Sequence, residues 1–218
     1  MLKLTATDGH EFDVFEAGTV TAPRGLIVLQ EIFGVNEHIR AVSERLATHG
    51  YRVLAPALFD RAERHVDLGY EADDIAKGRE LRGQIPEAAT MLDIEATVAA
   101  FGGKPVGVIG YCWGGTLAWR AACQTDKFWA ASCWYGSGIA AAKELTPNCP
   151  VQMHFGELDS SIPLSDVEAI KAAQPGVDVF VYEGAHHGFG CEARAAYSRK
   201  DWELAALRSL TLFAEHVR

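Results

Sequence analysis

Val106-Gly107-Val108-Ile109-Gly110-Tyr111-Cys112-Trp113-Gly114-Gly115 is the stretch whose reading decides the fold. Val106–Ile109 is an apolar run of strand length, and the residues from Trp113 to about Cys123 read as a helix. A strand that turns directly into a helix around Gly-Tyr-Cys-Trp-Gly is the nucleophile-elbow pattern, small–x–nucleophile–x–small, with Cys112 as the nucleophile. Glycines flank it because so tight a turn leaves no room for side chains on either side. The helix start beneath the thiol favours its thiolate. The backbone N–H of Trp113 faces the place where an oxyanion would develop. Taken alone, the same glycines also suit a small buried cysteine in a βα turn.

Working outward, short apolar runs alternate with helical patterns. Lys3–Thr5 and Glu11–Val14 around Asp8-Gly9 predict a hairpin. Leu26–Gln30 is a buried strand. Asn36 caps a helix carrying Ile39, Val42 and Leu46, which ends at Gly50. Arg52–Ala55 is a strand stopped by Pro56, residues 57–70 read as loop, and 71–83 form a polar helix. Pro86 starts a helix with Ala89, Leu92, Ala96 and Ala99, ending at Gly102-Gly103. Beyond the elbow, Phe128–Trp134, Val151–Phe155 and Val177–Tyr182 are strands, with helices near Leu164–Ala173 and Trp202–His216. This alternation predicts one α/β domain over residues 1–218, with a mostly parallel central sheet covered by helices on both faces. In such sheets the chemistry lies in loops at the carboxyl ends of strands.

Composition sets the outer bounds. The chain has 218 residues, 49% hydrophobic and 22% charged, which is ordinary for a folded globular protein. A net charge of −9 argues against nucleic acid as a partner. The N-terminal stretch lacks an apolar signal-peptide region and no run is long enough to span a membrane, so a cytoplasmic protein with no membrane partner is expected. The five cysteines, Cys112, Cys123, Cys133, Cys149 and Cys191, include no CxxC, which weakens zinc and dithiol-redox readings. Free thiols are expected, and no metal site.

Two further strand ends carry chemistry-bearing residues. Gly156-Glu157-Leu158-Asp159 follows the strand Val151–Phe155, where an orienting carboxylate would sit. Glu157 and Asp159 compete for that role. Glu183-Gly184-Ala185-His186-His187-Gly188-Phe189 follows the strand ending at Tyr182, where a general base would sit. Cys112, Asp159 and His187 fall in the chain order nucleophile, acid, histidine. The paired histidines lack the i, i+4 spacing of a metal pair. The other histidines, among them His10, His38 and His154, read as surface or satisfied core residues.

Four blocks together resemble the dienelactone hydrolases, or carboxymethylenebutenolidases. They are Gln30-Glu31-Ile32-Phe33-Gly34-Val35-Asn36, Gly110–Gly115, Gly156–Asp159, and Tyr182 through His187-Gly188-Phe189. The resemblance runs from Gly25 to the last helix. It implies the α/β-hydrolase fold without a lid domain, no cofactor, and cleavage of an enol-lactone or activated ester. It also implies a Cys112–His187–Asp159 triad, with His186 as a neighbour only. Carried over residue by residue, the oxyanion hole is the N–H of Ile32 and of Trp113, and Glu31 controls the state of the thiol. From the residues alone, Glu31 also reads as a helix-approach carboxylate or a core residue paired with an arginine such as Arg40 or Arg82, but an acid ending an apolar strand favours the functional reading. The family holds its substrate carboxylate with two arginines. Arg79 and Arg82 are candidates for one; Cys191 stands where the other would be, with Arg194 a turn further on.

The expected chemistry is two-step acyl transfer through an acyl-enzyme. Phe33, Trp113, Trp134 and Tyr135 are expected to line an apolar pocket, with core packing the other reading of Trp134. The expected partner is a small ester or lactone, and the chain a monomer or weak homo-oligomer. A broader carboxylesterase or thioesterase uses the same residues. A redox-sensing thiol protein, with Cys112 reversibly oxidised, is the alternative from a different class.

Overall fold

The computed structural model describes residues 1–216. Two compact units emerge, the first spanning Met1–Val106 and the second beginning at Gly107.

In the first unit, β1 (Leu2–Thr5) and β2 (Glu11–Ala17) form an antiparallel hairpin. Of the Asp8-Gly9 pair only Gly9 takes the left-handed conformation, at φ +88°, and its N–H closes a turn onto Ala6 O at 2.9 Å. The connection runs from Ala6 to His10, the residues left between the two expected strands. β2 runs on to Ala17 because it pairs antiparallel with β4 (Arg52–Pro56), which in turn pairs parallel with β3 (Gly25–Leu29). All five residues of β3 and of β4 are buried, as expected of strands covered on both faces.

Between β3 and β4 lies α1 (Glu37–Ala47). Asn36 caps it by accepting the Ile39 N–H, and its apolar stripe of Ile39, Val42 and Leu46 is buried. The stretch 57–70 contains a 3-10 turn at Leu58–Arg61 that periodicity could not reveal, since a single turn has no repeat. Gln30 Oε1 accepts its first N–H, and Arg61 pairs both oxygens of the buried Asp93 at 2.7 and 2.8 Å. Two helices follow, α2 (Ala72–Gln84) and α3 (Glu87–Ala99). Gly78 of α2 is required by close approach, because a Cβ there would run into the Ile32 carbonyl.

In the second unit the strands run in chain order: β5 (Val106–Tyr111), β6 (Phe128–Trp134), β7 (Val151–Gly156) and β8 (Asp178–Tyr182). The pairs β6–β7 and β7–β8 are parallel. The connections are α4 (Trp113–Gln124) and α5 (Leu164–Ala173), and α6 (Arg199–Glu215) closes the unit. The last helix begins three residues before the expected Trp202. β5, β6 and β7 are buried throughout, whereas edge strand β8 is half exposed. No helix among the described residues is long and apolar enough to cross a membrane. Strand–helix alternation around parallel strands makes this an α/β-hydrolase fold.

Candidate active site

Cys112 stands between the end of β5 and the first residue of α4, at φ +53° and ψ −113°. That conformation is strained for a residue with a Cβ, at a cost of about 1–3 kcal/mol. The surroundings enforce it. The Cys112 N–H donates to Trp134 O at 2.9 Å, and Cys112 O accepts the Thr116 N–H at 3.2 Å. A Cβ on Gly110 would strike the Gly114 carbonyl, and one on Gly115 the Trp134 carbonyl, so strand and helix meet only because both positions are glycine. Trp113 is buried as the first residue of α4, and its N–H is among the first-turn amides that a helix leaves without an intrahelical acceptor.

Asp159 lies in the turn after β7 and is 3% exposed. Its Oδ1 accepts the Ser161 N–H at 2.8 Å, and its Oδ2 meets His187 Nδ1 at 2.7 Å. His187 Nε2 is 3.2 Å from Cys112 Sγ. Burial works against a charge on His187, but hydrogen bonds to Asp159 and Cys112, and their negative charge, outweigh it and raise its pKa to about 10. The ring thus bridges the carboxylate and the sulfur through its two nitrogens.

The two competing residues have other partners. Glu157 Oε2 accepts the Gly184 N–H at 2.8 Å, which ties the turn after β7 to the loop bearing the histidines. The exposed His186 donates from Nδ1 to Leu158 O at 3.1 Å. A Cβ on Gly156 would crowd the Ala185 carbonyl, so that loop is held against the end of β7.

Beneath the loop is an aromatic floor. Tyr135, fully buried and at φ +36°, sets its ring 5.2 Å from His187 at 61°. Trp134 stacks on Phe189 at 5.6 Å and donates its indole N–H to Ser132 and Ser209. Trp134, like Tyr135, is completely buried. Residues that the sequence did not mark extend this layer. Arg208 donates to Tyr182 Oη at 3.1 Å, and Tyr182 Oη is 2.8 Å from Nδ1 of the fully buried His154. His154 Nε2 lies 3.3 Å from Ser209 Oγ. Burial, with the Arg208 charge nearby, lowers the His154 pKa to about 3. His154 is thus a neutral core histidine, and nothing in sequence spacing signals its partners.

Exposure does not single out Cys112, since Cys112, Cys123 and Cys149 are all half-buried; its backbone conformation and histidine partner do. Cys191 is buried. The Arg194 guanidinium packs over Gly188, the residue after His187, where a Cβ would have to displace it.

The remaining expected site residues belong to the first unit. Glu31 leaves β3 fully buried, followed by Ile32 and Phe33, both also buried. Phe33 packs edge-on against Tyr70 at 4.7 Å. Arg79 and Arg82 lie on the exposed side of α2, which turns Gly78 and Leu81 inward.

A Synechocystis sp. protein provisionally named carboxymethylenebutenolidase is 39% identical over 194 residues, covering 79% of this chain and 78% of the relative. An Escherichia coli K12 protein with the same provisional name is 32% identical over 211 residues, covering 88% and 76%. The Pseudomonas putida carboxymethylenebutenolidase is 29% identical over 230 residues, covering 98% and 95%. Among solved structures, a provisionally named dienelactone hydrolase from Klebsiella pneumoniae superposes with a TM-score of 0.80 at 28% identity, covering 97% of each chain. A Pyrococcus furiosus esterase shares the fold, with a TM-score of 0.68 at 18% identity, covering 100% of this chain and 90% of that one. Residues 12–217 match the dienelactone hydrolase family, and the chain belongs to that family as a carboxylic ester hydrolase.

Proposed function

We propose that this enzyme cleaves a small enol-lactone or activated ester by acyl transfer through Cys112, His187 and Asp159. One observation carries the reading: His187 spans from Asp159 Oδ2, at 2.7 Å from Nδ1, to Cys112 Sγ, at 3.2 Å from Nε2.

In the proposed mechanism, the Cys112 thiolate attacks the carbonyl carbon, and the charge moves to the carbonyl oxygen, within reach of the Trp113 N–H. Collapse of the tetrahedral intermediate breaks the ester C–O bond. His187 Nε2–H gives its proton to the departing oxygen and becomes neutral. A water then loses a proton to Nε2 as it attacks the thioester. Collapse of this second intermediate expels the Cys112 thiolate beside a restored imidazolium. Asp159 holds Nδ1–H throughout, which fixes the ring orientation and stabilises its charge. An enolate or aryloxide leaves readily, so lactones of enols and aryl esters suit this nucleophile better than amides. The names of the relatives point the same way, toward carboxymethylenebutenolide lactones.

The test is to trap the acyl-enzyme. Quenching the enzyme in acid during turnover of an aryl acetate should leave one acetyl group on the peptide containing Cys112. His187→Ala should slow its formation and its loss. Full turnover by Cys112→Ala, or acetyl found only elsewhere, would overturn the assignment.

A further inference from the structure

We propose that Cys123 and Cys149 form an oxidisable thiol pair, which a peroxide closes into a disulfide stapling the C-terminal end of α4 to the segment that enters β7. Trp119 and Cys123 lie four residues apart and so share one face of α4. Trp119 donates its indole N–H to Ala142 O at 3.0 Å. One turn further along, the Asn148 backbone N–H donates to Ala122 O at 2.8 Å, and Asn148 Nδ2 donates to Cys123 O at 2.9 Å and Thr125 O at 3.3 Å. The segment from Ala142 to Asn148 thus runs from Trp119 to the carbonyls that end α4, beside Cys123, and Cys149 is the next residue. Cys123 and Cys149 are half-buried, whereas Cys133 and Cys191 are buried.

The electrostatics set their order of reaction. Burial pushes the Cys123 thiol up to about 11, and the Arg120 guanidinium three residues earlier partly offsets this. Burial pushes Cys149 further, to about 12, and charge on Cys123 adds to it. Arg120, whose charge favours the anion at Cys123, makes Cys123 the attacking thiol. Its thiolate attacks a peroxide oxygen, the O–O bond breaks, and the departing oxygen leaves as water or an alcohol. Cys149 then attacks the resulting sulfenic sulfur, an S–S bond forms, and a second water leaves. Two thiols are oxidised by two electrons and one peroxide is reduced. Thiols of high pKa are poor leaving groups, so the disulfide persists against thiol exchange. The helix it anchors begins just after Cys112, and this inference stands independently of the mechanism assigned to that residue.

Cys112→Ser, which removes a competing thiol, is incubated with excess hydrogen peroxide at pH 9, alkylated under denaturing conditions and mapped by mass spectrometry. The expected product has lost two hydrogens and carries a peptide linking Cys123 to Cys149. Its Tm rises by about 5 °C or more and returns to its former value after reduction. The same treatment of Cys123→Ser and of Cys149→Ser in that background should yield neither the mass loss nor the Tm rise. Linkage through Cys133, oxidation to sulfinate without linkage, or two thiols still open to alkylation would each overturn the proposal.

Discussion

His187 Nδ1 lies 2.7 Å from Asp159 Oδ2, while Glu157, two residues earlier, accepts the Gly184 N–H instead. Two acids in one short turn thus serve different ends of one loop. Asp159→Asn should lower kcat by about a hundredfold or more, because the ring loses its orienting acceptor and the countercharge for its imidazolium. Glu157→Gln keeps an oxygen for Gly184 and should change kcat by no more than a few-fold. Steady-state kinetics on one aryl ester compares them, and equal effects would reassign the acid.

The pH dependence follows from the same contact. His187 has its pKa raised to about 10, against about 6.5 for an unperturbed histidine. The proposed general acid therefore stays loaded through neutral pH, and kcat/KM should fall only as pH rises toward 10. The contribution of the charged pair to stability has the same sign. It is fully present below about 6.5 and is lost as pH rises through about 10. In Asp159→Asn the high-pH limb should move at least one unit toward neutrality. An unmoved limb would detach it from His187.

His154 predicts the opposite slope. Burial holds its folded-state pKa at about 3, so the unfolded chain takes up a proton below about 6.5 and the folded chain does not. Stability is fully present above about pH 6.5 and should decline as pH falls toward 3, by on the order of 4 kcal/mol for this residue. Urea unfolding of wild type and His154→Gln at pH 7 and pH 4 should show a smaller acid penalty in the variant. Parallel losses would mean that His154 does not carry the effect.

Substrate charge gives a fourth expectation. Arg194 brings a guanidinium over Gly188, next to the proposed base, although its place in the sequence is three residues beyond Cys191. A carboxylate entering the site would lose its hydration unless a cation meets it. Arg194→Gln should therefore reduce kcat/KM for a carboxylate-bearing lactone about tenfold or more relative to its methyl ester. Arg79→Ala and Arg82→Ala, on exposed α2, supply the comparison. A ratio that moves only in those two would shift the anion contact to α2.

Much was legible along the chain because the signals were local. Apolar runs marked β3, β5, β6 and β7, and the Asn36 cap and the 3.6-residue stripe marked α1. Glycines around Cys112 marked a turn that no larger residue could make, since Gly110 and Gly115 each abut a carbonyl. Local signals failed where structure came from pairing. β2 extends to Ala17 because β4 lies beside it, and the 3-10 turn at Leu58–Arg61 is fixed by Gln30 and Asp93, both distant in sequence.

What the sequence by itself determined was the strand–helix order, the elbow and the short windows in which an acid and a histidine would be found. The family resemblance favoured Asp159 over Glu157 and His187 over His186; only the tertiary structure showed that Asp159 and His187 meet each other while Glu157 and His186 turn to backbone partners, and surrounded His154 with Tyr182 and Ser209. The reason is physical. Periodicity and turn chemistry act between near neighbours, but whether a side chain meets Cys112 depends on the direction it takes from a loop 75 residues away. That direction is set by strand register and by close contacts such as Gly156 against Ala185, which exist only once the chain has folded.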